Sequence, residues 1–310
     1  MAHFISIPEN PIPENAEPFE FEAPGGVNIR GGFFPVDNPR GTVVLVTGWS
    51  EFIEKYFETI RDLHQRGLNV AMMDWRGQGL SDREQVKETK WNGYFQTIKN
   101  DLEFFTDTQV KPRFGGPYIL MTHSMGGMPA LKLLSTGNDG FSRAVLCAPM
   151  TRLFPEPQNK ITGLAASIAS TIGFARTQVI RSKDYADKFD GNIYTSDKAR
   201  HSLFRDLRLA EPKAASQSPT YGWVNDAIKA SKAIHADHAL DGIKIPVLII
   251  TAGLEQQIDG EDHQIIAASS DKISVETIPG ALHEIMMERD SLRALYWKAF
   301  DDFVAPVFKD

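Results

Sequence analysis

Four runs, TVVLVT (42–47), NVAMMD (69–74), PYILMT (117–122) and RAVLCA (143–148), are apolar at successive positions, and each feeds a stretch with helical spacing. Successive side chains of a strand point to opposite faces, so a strand that is apolar on both must be covered on both. That pattern belongs to a mostly parallel sheet with helices packed on each side. Between the runs, EKYFETIRDLHQRG ends at Gly67 as a C-terminal stop, and WNGYFQTIKNDLEFFTDTQV repeats its apolar residues at helical intervals. The rhythm returns with IPVLIIT (245–251), a helix over 261–269, KISVETI (272–278) and a closing helix over 284–302. The fold class expected is α/β, a layered sandwich.

Residues 1–18, which include four prolines, are expected to form a loose arm leading into an edge strand, and NIRGGFFPV reads as a second strand. Residues 151–240 hold no convincing β-run but show helical patterns at 161–174, 197–210 and 221–236. The expected organisation is an arm (1–18), a core (19–150 and 241–310) and a helical lid (151–240) inserted between strands. Such an insertion sits above the C-terminal edge of the sheet, where open α/β sheets bind ligands.

The stretch MTHSMGG (121–127) places Ser124 directly after a strand and before the helical pattern MGGMPALKLLS. Strand, tight turn and helix are the context of a nucleophile elbow, in which small residues let strand and helix approach and the hydroxyl is exposed. The usual pattern is G-x-S-x-G; here the first glycine is Thr122. A serine hydroxyl near pH 7 needs a base, and the base needs an acid to orient it. His283, in IPGALHEIMME between the last strand and the last helix, is the best placed base. The loop AGLEQQIDGEDHQ offers two acids: Glu255, close to the strand end, and Asp259, which also reads as a helix N-cap. Backbone N–H groups of Met125 and of Trp49, in the loop GWSEF with Gly48, are the candidate oxyanion donors.

Other residues have plainer readings. His123 lies inside the elbow and is expected to pack beside the pocket, while His3, His64, His201 and His263 are expected to face solvent. His235 and His238 have helical spacing but no third clustered ligand, so no metal is expected there. The loop MDWRGQGLSDR lacks the framing of a phosphate-binding loop, and Asp74 with Arg76 is expected to hold it together. The net charge of −7, without a basic block, argues against nucleic acid as a partner. Cys147 is the lone cysteine and reads as buried filler; with no signal peptide and no apolar stretch of membrane-spanning length, a cytoplasmic location is expected, with peripheral contact at the inner membrane as a further option.

With those residues in view, the chain resembles the α/β-hydrolase superfamily, and within it the lysophospholipase L2 and monoacylglycerol lipase group. The resemblance runs from about residue 20 to 305 and is carried by GWSEFIEKYFETIRDLHQRGLNVAMMDWRGQGLSDR, HSMGG, FDGNIYTSDKARHSLFRDL, SPTYGWVNDAI and GALHEIMMERD. It implies a helical lid, Ser124 as nucleophile, His283 as base, an acid at Glu255 with Asp259 matching a second recurrent acidic position, and no cofactor or metal. Thr122 and Thr47 depart from the group's pattern, Thr47 standing where a histidine often precedes the oxyanion-loop glycine. The substrate implied is a single-chain acyl ester, a lysophospholipid or monoacylglycerol. A small ester, lactone or amide, and a non-catalytic binding protein of the same fold, are the alternatives. Leu164, Ile168, Ile172 and Phe174 are expected to line an acyl channel or to pack on the core, and Arg152, Arg176, Arg181 and Arg200 are candidates for a phosphate head group.

Overall fold

The computed structural model describes residues 2–83, 93–179, 188–215 and 218–308. In chain order its main elements are β1 (Glu17–Ala23), β2 (Val27–Phe34), β3 (Gly41–Val46), α1 (Phe57–Gln65), β4 (Leu68–Met73), α2 (Tyr94–Phe105), β5 (Tyr118–His123), α3 (Gly127–Ser135) and β6 (Arg143–Cys147). They continue with α4 (Gln158–Ala169), α5 (Lys198–Ala210), α6 (Tyr221–Ile234), β7 (Val247–Ala252), α7 (Asp262–Ala268), β8 (Ile273–Ile278) and α8 (Asp290–Val304). The eight strands form one sheet in the order β1-β2-β4-β3-β5-β6-β7-β8. β1 and β2 pair antiparallel with each other, β2 pairs antiparallel with β4, and the remaining pairs are parallel.

The doubly apolar runs have the physical cause inferred from them. Val44, Val46, Ala71, Met73, Leu120, Ala144 and Leu146 enter one core layer, with residues of α2, α3 and α6. Their neighbours Val43, Leu45, Val70, Met72, Ile119, Met121, Val145 and Cys147 enter the other, with residues of α1 and α8. The fold is an α/β sandwich with a mostly parallel sheet, as expected.

Between β6 and β7 the described residues form α4, α5 and α6 and no strand. Side-chain caps start two of these helices: Asp197 accepts from the Arg200 N–H at 3.0 Å, and Thr220 accepts from the Trp223 N–H at 3.2 Å. Helix α4 departs from expectation. It turns its small residues inward, with Ala166 buried and Gly163 so close to α6 that a Cβ there would stand 3.0 Å from Ile228. Leu164, Ile168, Ile172 and Phe174 therefore point outward, 53–65 % exposed, and neither line a channel nor pack on the core.

The N-terminal arm is also tighter than its prolines suggest. Ile5 and Asn10 are buried; the Ile5 N–H donates to Glu54 Oε1 (2.9 Å), and Asn10 Nδ2 donates to the Glu54 carbonyl (2.8 Å). Arg30 carries the arm through the His3 carbonyl (3.1 Å) while pairing with Glu54 and Asp74 at 2.7 Å each. This corrects the expected pairing of Asp74 with Arg76. Arg76 reaches Asp101 instead, and Asp74 holds its loop by accepting from the N–H groups of Ile53 (3.1 Å) and Leu80 (2.8 Å).

Candidate active site

β5 ends at His123, and Ser124 follows with φ of 49°, in the left-handed region. For a residue with a side chain this costs on the order of 1–3 kcal/mol and persists only where neighbours dictate it. Here they do. A Cβ on Gly127 would lie 2.3 Å from Pro149 Cβ, and one on Gly126 2.8 Å from the Thr47 carbonyl, so only glycine lets α3 sit against these segments. The Met150 N–H also donates to the Ser124 carbonyl at 2.8 Å. Thr122 is accommodated within the sheet, paired in register with Val46 of β3 and fully buried.

His283 is buried on the loop between β8 and α8. Its Nε2 lies 2.9 Å from Ser124 Oγ and its Nδ1 lies 2.8 Å from Glu255 Oε2. Glu255, on the β7–α7 loop, is held in turn: its Oε1 accepts from the N–H groups of Gln257 (2.8 Å) and Ile258 (3.4 Å). Burial works to raise the Glu255 pKa, but the His283 hydrogen bond and charge, with those two N–H groups, hold it below the ordinary carboxylate range. With Nδ1 donating to this carboxylate, Nε2 is left to accept the serine proton.

The second acid is engaged elsewhere. Asp259 Oδ2 lies 3.4 Å from Arg152, and the Asp259 N–H donates to the Arg152 carbonyl at 3.2 Å. Nor does it cap α7, which starts at Asp262.

Beneath the site lies a group that sequence reasoning missed. Glu51 accepts from the Gly48 N–H (2.5 Å), Tyr56 Oη (2.5 Å), Lys55 Nζ (2.7 Å) and the His123 ring (2.9 Å). The other ring nitrogen of His123 lies 3.3 Å from the His283 carbonyl. Burial opposes the charge on Glu51, but His123 and Lys55 hold its carboxyl well below the ordinary range. In the fold the charged residues Glu51, Glu54 and Lys55 are buried among Phe52, Ile53 and Tyr56.

Glu51 fixes the Gly48–Trp49 loop through the Gly48 N–H, and Trp49 packs against Trp223 with ring centroids 4.6 Å apart and planes tilted by 48°. The Met125 N–H belongs to the first turn after the strand, where backbone donors have no helical acceptor. Ligand atoms of Glu51, His123 and Glu284 converge within 4.8 Å, a geometry that could hold a metal. Lys55 already bridges Glu51 and Glu284, at 2.7 and 2.5 Å, so the chain supplies its own cation there.

The remaining histidines divide. His3 is exposed and His64 half-buried, whereas His201 and His263 are buried, against expectation. His263 is drawn inward by Thr251 Oγ1 and the Pro149 carbonyl, both at 2.8 Å. His235 pairs with Asp262 at 2.8 Å and His238 with Asp241 at 2.8 Å, so the two rings are held apart by separate acids. Cys147 is buried, and burial pushes its thiol well above the ordinary value.

Ser124 and His283 open into a cavity of about 200 Å³, roofed by the segment Tyr194–Arg208. That segment is bonded to the histidine loop: the Glu284 N–H donates to the Tyr194 carbonyl (2.8 Å), and Thr195 Oγ1 to the Met287 carbonyl (2.7 Å). Arg200 donates to the Glu288 carbonyl at 2.8 Å and is saturated by Glu58, Asp197 and Asp290. Of the other arginine candidates, Arg152 is paired with Asp259 and Asp262, Arg176 is exposed outside the cavity lining, and Arg181 lies outside the described residues.

The sequence profile of the serine aminopeptidase S33 family, Hydrolase_4, matches residues 37–290. The chain belongs to that family. This S33 hydrolase is 26% identical over 310 residues to lysophospholipase L2 of Escherichia coli K12, covering 92% of this chain and 86% of that protein. It is 25% identical over 257 residues to human monoglyceride lipase, with 82% and 78% covered. Among solved structures, a soluble variant of monoglyceride lipase from Saccharomyces cerevisiae, in complex with a substrate analog, superposes with a TM-score of 0.74 at 21% identity, covering 94% of this chain and 96% of that one. The resemblance read from the motifs therefore holds at the level of family and fold.

Proposed function

We propose that this S33 hydrolase cleaves the carboxylic ester of a single-chain lipid, a lysophospholipid or monoacylglycerol, through an acyl-enzyme on Ser124. The observation that carries the reading is the continuous series Ser124 Oγ, His283 and Glu255, joined at 2.9 and 2.8 Å, with Ser124 and His283 facing one cavity. His283 Nε2 takes the hydroxyl proton as Ser124 Oγ attacks the carbonyl carbon, and Glu255 stabilises the imidazolium. The N–H groups of Trp49 and Met125 receive the oxyanion, each such donor contributing on the order of 10²–10³ in rate. His283 returns the proton to the leaving alcohol oxygen as the ester C–O bond breaks. Water, deprotonated by the same nitrogen, then attacks the acyl-enzyme and releases the fatty acid. Residues 151–240 act in this reading as the lid.

The names of the relatives support a lipid ester, while the family description points to peptides. One feature favours the ester. An aminopeptidase must bind a substrate ammonium with an acid in the pocket, and the two acids lining this cavity, Glu51 and Glu284, are already occupied by Lys55. The outward apolar face of α4 supports peripheral contact with a lipid surface. Among the described residues no helix is long and apolar enough to cross a membrane.

The test is a panel of lysophospholipids, monoacylglycerols, short aryl esters, lactones and aminoacyl amides, assayed with the parent and Ser124→Ala. Lipid esters are the expected best substrates, and Ser124→Ala is expected to lose roughly 10³-fold or more. Turnover that survives Ser124→Ala, or amides preferred to esters, contradicts the reading.

A further inference from the structure

The roof of the cavity is formed by one face of α5. His201, Phe204, Arg205 and Arg208 recur at helical spacing, and all four line the same cavity as Ser124 and His283. Four lysine and arginine side chains line it in all: Lys55, Arg200, Arg205 and Arg208. Two are spent. Lys55 bridges Glu51 and Glu284, and Arg200 is bound by Glu58, Asp197 and Asp290.

The other two retain donors. Arg205 pairs with its own chain neighbour Asp206, at 2.8 Å, a half-exposed contact that leaves the fork free to turn. Among the described residues Arg208 forms no ion pair, and its Nε is buried without a hydrogen-bond acceptor. The Phe204 ring lies 5.9 Å from its guanidinium. A ring engages the flat face of a guanidinium and leaves the N–H edge available. Arg208 lines the cavity with no carboxylate bound to it among the described residues, so its exposed donors are open to an anion that arrives with the substrate. Arginine presents its donors as a planar fork matched to phosphate oxygens.

We propose that Arg208, assisted by Arg205, binds the phosphate of the leaving alcohol, so that the preferred substrate is an acyl glycerophosphate and not a neutral monoacylglycerol. The proposal rests on the ester-hydrolase reading and narrows it. Both arginines lie on the roof and the nucleophile on the sheet edge, so a short polar alcohol between them would place its phosphate under α5 and its ester oxygen at Ser124. The volume of about 200 Å³ suits a head group of that kind; sites that engulf larger ligands run to ~300–1,000 Å³.

The experiment compares kcat/KM for a 1-acylglycerol and the 1-acylglycerol 3-phosphate of the same chain length, both as monomers, in the parent, Arg208→Gln and Arg205→Gln. The ratio of phosphate-bearing to neutral substrate is expected to exceed roughly 10 in the parent and to fall roughly 10–100-fold in Arg208→Gln, with a smaller fall in Arg205→Gln. A ratio cancels any loss of folded enzyme; should Arg208→Gln not fold, Arg208→Lys, which keeps the charge and loses the fork, is expected to lower the ratio in between. Glycerol 3-phosphate and inorganic phosphate are tested as competitive inhibitors of aryl-ester hydrolysis, and glycerol 3-phosphate is expected to bind the parent more tightly than either variant. A parent ratio near one overturns the proposal while leaving the ester-hydrolase reading intact. So does inhibition by inorganic phosphate equal to that by glycerol 3-phosphate with no preference between the two lipids, which would mark a site for free phosphate. Failure of the parent to cleave any ester would instead defeat the underlying reading.

Discussion

Replacing Glu255 with glutamine probes the site through a detail of its hydrogen bonds. Glu255 Oε1 is fixed by the Gln257 and Ile258 N–H groups at 2.8 and 3.4 Å, while Oε2 faces His283 Nδ1 at 2.8 Å. A glutamine amide must put its oxygen where the two N–H donors are, which turns its NH₂ toward Nδ1. Nδ1 then has to accept, the ring proton moves to Nε2, and Nε2 presents a donor to Ser124 Oγ instead of a lone pair. The opposite amide orientation restores the useful tautomer but sets NH₂ against backbone donors, at about 1–3 kcal/mol, or roughly 10–100-fold in population. Loss of the charge that stabilises the imidazolium multiplies this further, giving a fall in kcat/KM of about 10²–10⁴. The assay is aryl-ester hydrolysis by Glu255→Gln and Asp259→Asn, each checked for unchanged thermal unfolding. Glu255→Gln within tenfold of the parent, or a larger loss from Asp259→Asn, refutes the assignment of the acid.

Three further outcomes follow from other parts of the fold. Arg30→Met leaves Glu54 and Asp74 buried without their cation and frees the N-terminal arm, so urea unfolding should show a loss of about 3–5 kcal/mol. Because the Glu255 pKa is depressed on folding, the stability it contributes is complete above the ordinary carboxylate value of about 4.3 and is lost as pH falls through the depressed value. The stability difference between the parent and Glu255→Gln, measured by denaturant unfolding at several pH values, should therefore shrink only below that range. Replacing Leu164 and Ile168 together with serine should weaken sedimentation with phospholipid vesicles while leaving hydrolysis of a water-soluble aryl ester within about twofold, since both side chains face away from the cavity.

The parallel sheet and the Ser124–His283 pairing were legible because each leaves a local mark: doubly apolar runs for the one, and a strand, serine and paired glycines for the other. Which carboxylate stands beside His283 was half legible. Proximity to the strand end favoured Glu255, but only the fold shows that Arg152, from the distant β6–α4 connection, claims Asp259. The buried ions were not legible, since Glu51, Lys55 and Glu54 look like ordinary helix-surface charges until Arg30, His123 and Glu284 are brought to them across 24 or more positions. The orientation of α4 was misread because its outward face is the more apolar one, which inverts the rule that large apolar side chains turn inward. On α5 the sequence singled out Arg200, which is saturated by acids, and passed over Arg205 and Arg208: their spacing is that of any solvated helix, and only the position of the helix over Ser124 distinguishes them.

The central claim is that the Ser124 hydroxyl is activated by His283. It is tested most directly by mass spectrometry of the intact protein after treatment with a fluorophosphonate, which phosphonylates activated serines. The account predicts a single adduct, located on the peptide that contains Ser124, absent from Ser124→Ala and formed at least ~10³-fold more slowly in His283→Ala. No adduct on the folded parent, an adduct on another serine, or labelling of Ser124 at an undiminished rate without His283 would contradict it.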